Sequence, residues 1–241
     1  MIKSHFPDSI KKIIRKLLFG TEEVAVHYSQ SGEDLNIIAM TSTMLGVKNG
    51  FFIDVGSFHP HIGSNTFILY KEGWNGINID PRPGSKALFD KHRPRDINVE
   101  LGIGEKEGTL NYYFISETSS MNSFSKETLE LNGVLDKVTK IIERPIWPLS
   151  KVIENYLPEG KEIDLLSIDA EGFEMEILTS FDILKWRPKI IALEQNNIVT
   201  FKDVLNSDTC KFLESKNYQP VAKNVIVKNV STVIYVNNQF C

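Results

Sequence analysis

An α/β fold, with a mostly parallel sheet and helices on both faces, is what this sequence predicts. Three observations point to it. Short apolar runs at 51–55, 76–79, 164–168 and 190–193 have strand length and end at glycine or polar residues. Helix-like stretches lie between them, the alternation that builds parallel sheets. The tail then turns β-rich at 218–222 and 230–236, which suits a closing antiparallel pair.

The elements follow in order. Residues 8–19 place Ile10, Ile13, Ile14, Leu17 and Leu18 at helical spacing with basic residues between them; Asp8 or Ser9 caps the start and Gly20 stops it. Such a helix either lies on an anionic membrane surface or packs its stripe on the body or a second subunit. After a linker, Ser31-Gly-Glu-Asp34 precedes a helical pattern over 35–45. The strand at 51–55 closes on Gly56, and a helix around 67–71 ends near Gly73. The strand at 76–79 closes on Asp80-Pro81, and a helix at 85–92 leads to a third strand near 97–103. Residues 104–148 fit the sheet poorly: a hairpin at 109–115, a polar stretch at 116–125 and the segment Pro145-Ile-Trp147-Pro148. They read as an insertion over the strand ends, where substrate-selecting loops lie. One helix over 175–184 separates the fourth and fifth strands.

Composition narrows the function classes. The chain has 241 residues, 41% hydrophobic and 24% charged, with a net charge of −4, so it has no global field for nucleic acid. Cys210 and Cys241 match no zinc or redox spacing, which fits a reduced, cytoplasmic protein. No apolar run reaches the roughly 20 residues a membrane span needs. Lys11, Lys12, Arg15 and Lys16 argue against a secretory leader.

Parallel α/β sheets bind ligands beyond the carboxyl ends of their strands. After the first strand, a dinucleotide fingerprint would need glycines where Phe58 and His61 stand, and Pro60 removes a donor. No Walker loop is present either. Asp80, at the end of the second strand, can accept hydrogen bonds from a ribose diol, or cap the turn with Pro81. Ribose recognition without a phosphate cradle points to S-adenosylmethionine.

The segments Tyr28-Ser-Gln-Ser-Gly-Glu-Asp34, Gly50-Phe-Phe-Ile-Asp-Val-Gly56, Ser64-Asn-Thr66, Gly73-Trp-Asn-Gly-Ile-Asn-Ile-Asp80 and Ile168-Asp-Ala-Glu-Gly-Phe-Glu174 resemble the FkbM-type S-adenosylmethionine-dependent methyltransferases. The resemblance runs from about residue 28 to 200. It implies a Rossmann-like class I methyltransferase domain over 28–241, preceded by the helix and linker of 1–27. Its sheet would have seven mostly parallel strands and an antiparallel C-terminal pair. The usual reaction would be O-methylation of a sugar or other hydroxylated metabolite, including a nucleotide-activated or lipid-linked sugar from surface-polysaccharide biosynthesis. Carried over by position, Asp54 and Gly56 form the cofactor loop, Asp80 holds the ribose, and Ser64 and Asn65 lie near the methionine end. Asp80 departs from the glutamate many relatives carry there. Glu33 and Asp34 either hold the methionine amino group or cap the following helix.

A sugar hydroxyl is a poor nucleophile at neutral pH and needs a base or a metal. The candidates are His59 and His61 after the first strand, Asp169 and Glu171 after the fourth, and Glu194, Gln195 and Asn196 after the fifth. Glu171 alternatively caps the next helix. Some small-molecule O-methyltransferases place Mg²⁺ between acids at the ends of the fourth and fifth strands. Here Asp169 and Glu194 are those acids and Asn196 is the amide ligand, with His59 or His61 left to take the proton. The competing readings are a nicotinamide oxidoreductase, opposed by Phe58, Pro60 and His61, and a non-catalytic partner or membrane-surface module using residues 8–19. A homo-oligomer is compatible with all three.

Overall fold

The computed structural model describes residues 7–20 and 25–240. Helix α1 (Asp8–Phe19) ends at Gly20, which takes the left-handed conformation and donates its N–H to the Lys16 carbonyl. Helix α2 (Glu33–Ile38) runs on into a wider π-helical turn, Ala39–Met44. The body then alternates: β1 (Phe51–Val55), α3 (Phe67–Lys71), β2 (Asn75–Ile79), α4 (Ser85–His92) and β3 (Ile97–Val99). Next come β4 (Gly102–Ile103), β5 (Gly108–Phe114), α5 (Lys126–Leu131), β6 (Lys140–Trp147) and α6 (Leu149–Tyr156). The chain continues through β7 (Leu165–Ile168), α7 (Glu174–Thr179), α8 (Ile183–Trp186), β8 (Ile190–Asn196), α9 (Phe201–Asn206) and α10 (Asp208–Ser215). It closes with β9 (Tyr218–Val227) and β10 (Val230–Asn237).

Seven strands form one sheet in the order β3-β2-β1-β7-β8-β10-β9, parallel except that β10 runs antiparallel to both neighbours. This is the predicted fold class, with the antiparallel pair at the tail. Strand alternation assigns the two faces. Phe51, Ile53, Val55, Ile77, Ile79, Leu166, Ile168, Ile191 and Leu193 pack into one buried cluster with α6 and α10. Phe52, Leu165, Ile190 and Ala192 face the other, with Ile37 of α2 and Leu69 of α3. Among the described residues no helix is long and apolar enough to cross a membrane. Cys210 is buried, and Cys241 lies outside the described residues.

Four local expectations need correction. The third strand stops at Val99. Glu100 turns aside to bond Arg144 (2.7 Å) and the Gly84 amide (2.9 Å), and β4 joins a separate three-stranded sheet, β4-β6-β5. The expected hairpin at 109–115 is one uninterrupted strand, because its antiparallel partner is the distant β6, from Gly108↔Ile146 to Phe114↔Lys140. The helix over 175–184 is two helices: Asp182 restarts the chain by accepting the Leu184 and Lys185 amides. The strand from Tyr218 runs to Val227, so only Lys228 and Asn229 separate it from β10.

Candidate active site

Strand register builds the site. Val55 pairs with both Ile79 and Ile168, and Ile168 pairs with Leu193. All four are apolar and face the same core cluster. The next residue of each strand, Gly56, Asp80, Asp169 and Glu194, therefore falls in one row along the carboxyl edge. The strand order reverses between β1 and β7, where such sheets open a crevice. A cleft of about 560 Å³, counting its open mouth, lies there, between this edge and the 104–148 segment. Its lining includes Gly56, Phe58, Asp80, Arg82, Asp169 and Glu171 from the strand ends, and Tyr112, Asn122, Ser123 and Phe124 from the facing segment.

Gly56 is required by a backbone crossing. Its φ is +79°, and a Cβ there would lie 1.6 Å from the Asp169 carbonyl oxygen. Two residues on, Phe58 carries φ +48° without being glycine. Its amide donates to Asp80 Oδ2 at 2.9 Å, and the Arg82 amide donates to Asp80 Oδ1 at 2.8 Å. Asp80 is thus held rigidly at the cleft. Burial pushes its carboxyl up to about 6, against the opposing pull of Arg82. The Arg82 guanidinium donates to the Phe58 and Glu117 carbonyls, tying the first loop to the facing segment. Ser123 makes a second tie, its hydroxyl donating to the Glu171 carbonyl at 2.9 Å. Glu171, at φ +51°, is the other non-glycine cleft residue in the left-handed region. Phe124 stands 4.9 Å from the Tyr112 ring and 5.8 Å from that of Phe173, giving the cleft an aromatic wall.

Carboxyl oxygens of Asp169, Glu171 and Glu194 lie within 4.8 Å of one another. Withdrawal from water raises the Asp169 carboxyl well above its ordinary range, and Glu194 raises it further. Burial, then the charge of Asp169, pushes Glu171 up to about 8; burial, then Glu171, does the same to Glu194. Three like charges this close do not ionise together in the free protein, so the cluster holds protons near neutral pH. Glu171 makes no helix cap. Glu174 closes that loop instead, accepting the Ala170 and Gly172 amides at 3.2 and 3.0 Å.

The other predicted residues lie around this row. Asp54 is buried, accepts the Thr66 hydroxyl at 2.6 Å and is not part of the cleft lining. Ser64 Oγ accepts the Phe67 amide at 3.1 Å at the start of α3, and Asn65 donates to Ser167 at 3.3 Å. Glu33 accepts the Ser31 amide at 2.7 Å. Asp34 is fully buried on the Tyr28 amide and Ser29 hydroxyl, both at 2.7 Å. Neither acid caps α2. Neither His59 nor His61 lines the cleft. His59 Nδ1 accepts the His61 and Ile62 amides, both at 3.1 Å, and the His61 ring packs on Phe67 and His92. Asn196 is exposed at the end of β8. Arg82, Tyr112 and Asn122 were not legible as site residues. Their only sequence signals are a cation two residues after the strand-end acid and a polar run of unknown placement.

Residues 54–220 match the family description "Methyltransferase FkbM domain". Among solved structures, the chain is similar to a TehB-like SAM-dependent methyltransferase from Corynebacterium glutamicum. The two share 12% identity over 96% of this chain and 97% of that one, with a TM-score of 0.42. It is also similar to the O-methyltransferase TomG from Streptomyces achromogenes, involved in tomaymycin synthesis. That pair shares 13% identity over 98% of this chain and 92% of that one, with a TM-score of 0.43. No curated protein sequence matches the chain.

Proposed function

The chain belongs to the FkbM methyltransferase family and is an S-adenosylmethionine-dependent methyltransferase; from that premise we propose that it methylates a hydroxyl group of a sugar or sugar-containing metabolite. The observation that carries this reading is the convergence of Asp169, Glu171 and Glu194 beside the cleft. A hydroxyl acceptor needs a group that takes its proton near neutral pH, and a carboxylate of this cluster, ionised beside a cationic cofactor, would supply one.

The residues fit the cofactor. Asp80 keeps acceptor capacity toward the cleft for the ribose diol, and Leu101, Phe124 and Phe173 offer an apolar surface to the purine. The acidic cluster complements a sulfonium and an ammonium group, with Glu33 close enough to be felt by both Asp169 and Glu194. When bound, S-adenosylmethionine supplies an electrophilic methyl group. The protein's part is to hold the acceptor hydroxyl in line and to receive its proton on a carboxylate of the cluster. Ser119 and Ser120 line the facing side, and their hydroxyls support a polyhydroxylated acceptor selected by residues 104–148, while Asn122 and Ser123 hold that segment in place through bonds within the protein.

A divalent cation is the second reading, favoured by the same three carboxylates. Hard oxygen donors at this spacing suit Mg²⁺, whose charge would let all three ionise. In that reading Asp169, Glu171 and Glu194 hold the ion, with Asn196 as a further amide ligand. His59 and His61 remain alternative proton acceptors, although neither lines the cleft.

The test is incubation with methyl-labelled S-adenosylmethionine and a panel of free, nucleotide-linked and lipid-linked sugars, with mass detection of products. Label on a sugar oxygen is the expected result. Label only on nitrogen or carbon acceptors overturns the O-methylation reading.

A further inference from the structure

Helix α1 lies outside all the chemistry described above. It has two opposed faces. At about 100° per residue, Ile10, Ile13, Ile14, Leu17 and Leu18 occupy one arc of roughly 140°, and Lys11, Lys12, Arg15 and Lys16 the opposite arc. Among the described residues most of the apolar arc is open, with only Ile14 half-buried. Ile13 is 60% exposed, Leu17 80% and Leu18 65%, three on one arc of a single helix. Charge is also segregated. The chain carries −4 overall, but the helix holds four cations and one acid, so the remaining residues carry −7.

We propose that α1 docks the enzyme on an anionic lipid surface, with its apolar arc among the acyl chains and its cations among the headgroups. An exposed apolar stripe backed by a basic face is the pattern of helices that lie in a bilayer interface. Four clustered cations match the attraction of an anionic leaflet. A second copy of α1 is the poorer occupant. Apolar arcs packed together would turn both basic faces away from the contact, leaving the segregated charge without a part in it.

The experiment is flotation of the full chain with vesicles of phosphatidylcholine and of phosphatidylcholine mixed with phosphatidylglycerol. Sedimentation is measured in parallel without lipid. The wild type is expected to float with the anionic vesicles only, and less at high salt. Lys12→Gln with Arg15→Gln should lower partitioning roughly thirtyfold. Ile13→Asp with Leu17→Asp should abolish it, with the thermal unfolding of the body unchanged. Equal binding to neutral vesicles, or no binding to either, overturns the proposal. So does a lipid-free dimer that the Ile13→Asp, Leu17→Asp variant dissociates, since a second copy would then be the occupant.

Discussion

Gly56→Ala is the most direct probe of the site's construction. The substitution adds one methyl group at φ +79°, 1.6 Å from the Asp169 carbonyl oxygen. The left-handed conformation alone costs an L-residue about 1–2 kcal/mol. Restoring contact at ordinary van der Waals distance then requires about 1.8 Å of separation, taking 3.4 Å as the near limit. Neither side yields easily. The Gly56 amide is bonded to the Ile79 carbonyl and the Asp169 amide to the Val55 carbonyl, both at 2.9 Å. The total is expected in the tail of single-substitution effects, about 4 kcal/mol or more. Gly84→Ala is the matched control: its φ is +81°, but nothing lies within 4 Å of the added Cβ, so only the conformational cost applies. Urea denaturation of both variants, with calorimetric titration of S-adenosylmethionine, measures the difference. If Gly56→Ala costs no more than Gly84→Ala and binds cofactor normally, the packing of the Gly56 loop on Asp169 is wrong.

Three further outcomes are expected. Glu171 and Glu194 hold protons in the folded state up to about 8, whereas the unfolded chain releases them near 4.5, so the folded state binds more protons between those values. Stability of the ligand-free protein should therefore fall as pH rises through that window, and Glu194→Gln should flatten the fall; a stability that rises across it in thermal melts contradicts the cluster. Asp80→Ala should weaken S-adenosylmethionine binding by about 1.5–3 kcal/mol in calorimetry, and leaving the Phe58 and Arg82 amides without their acceptor should also cost about 1–3 kcal/mol of stability. Exhaustive chelation followed by Mg²⁺ add-back separates the two readings of the cluster: full turnover in chelator removes the metal, and full turnover in Asp169→Asn removes the carboxylate as well.

The sequence by itself determined the sheet and the row of chemistry at its edge. Runs such as Phe51–Val55 and Leu165–Ile168 carry apolar residues on both faces, as strands covered on both sides do, and the residue ending each run is local information. Asp80, Asp169 and Glu194 were legible for that reason. Tertiary structure decided how those residues are used. Asp80 is spent partly on Phe58 and Arg82, and Ser64 and His59 serve turns of their own loop. Glu171 stands in the acid cluster while Glu174 holds the loop. The 104–148 segment was illegible as a sheet because β5 finds its partner in β6, beyond α5. Periodicity reports which face of an element is buried but not what covers it, and ties such as Arg82 to Glu117 or Ser123 to Glu171 join residues 35 and 48 positions apart. Only the folded chain brings them within hydrogen-bond reach.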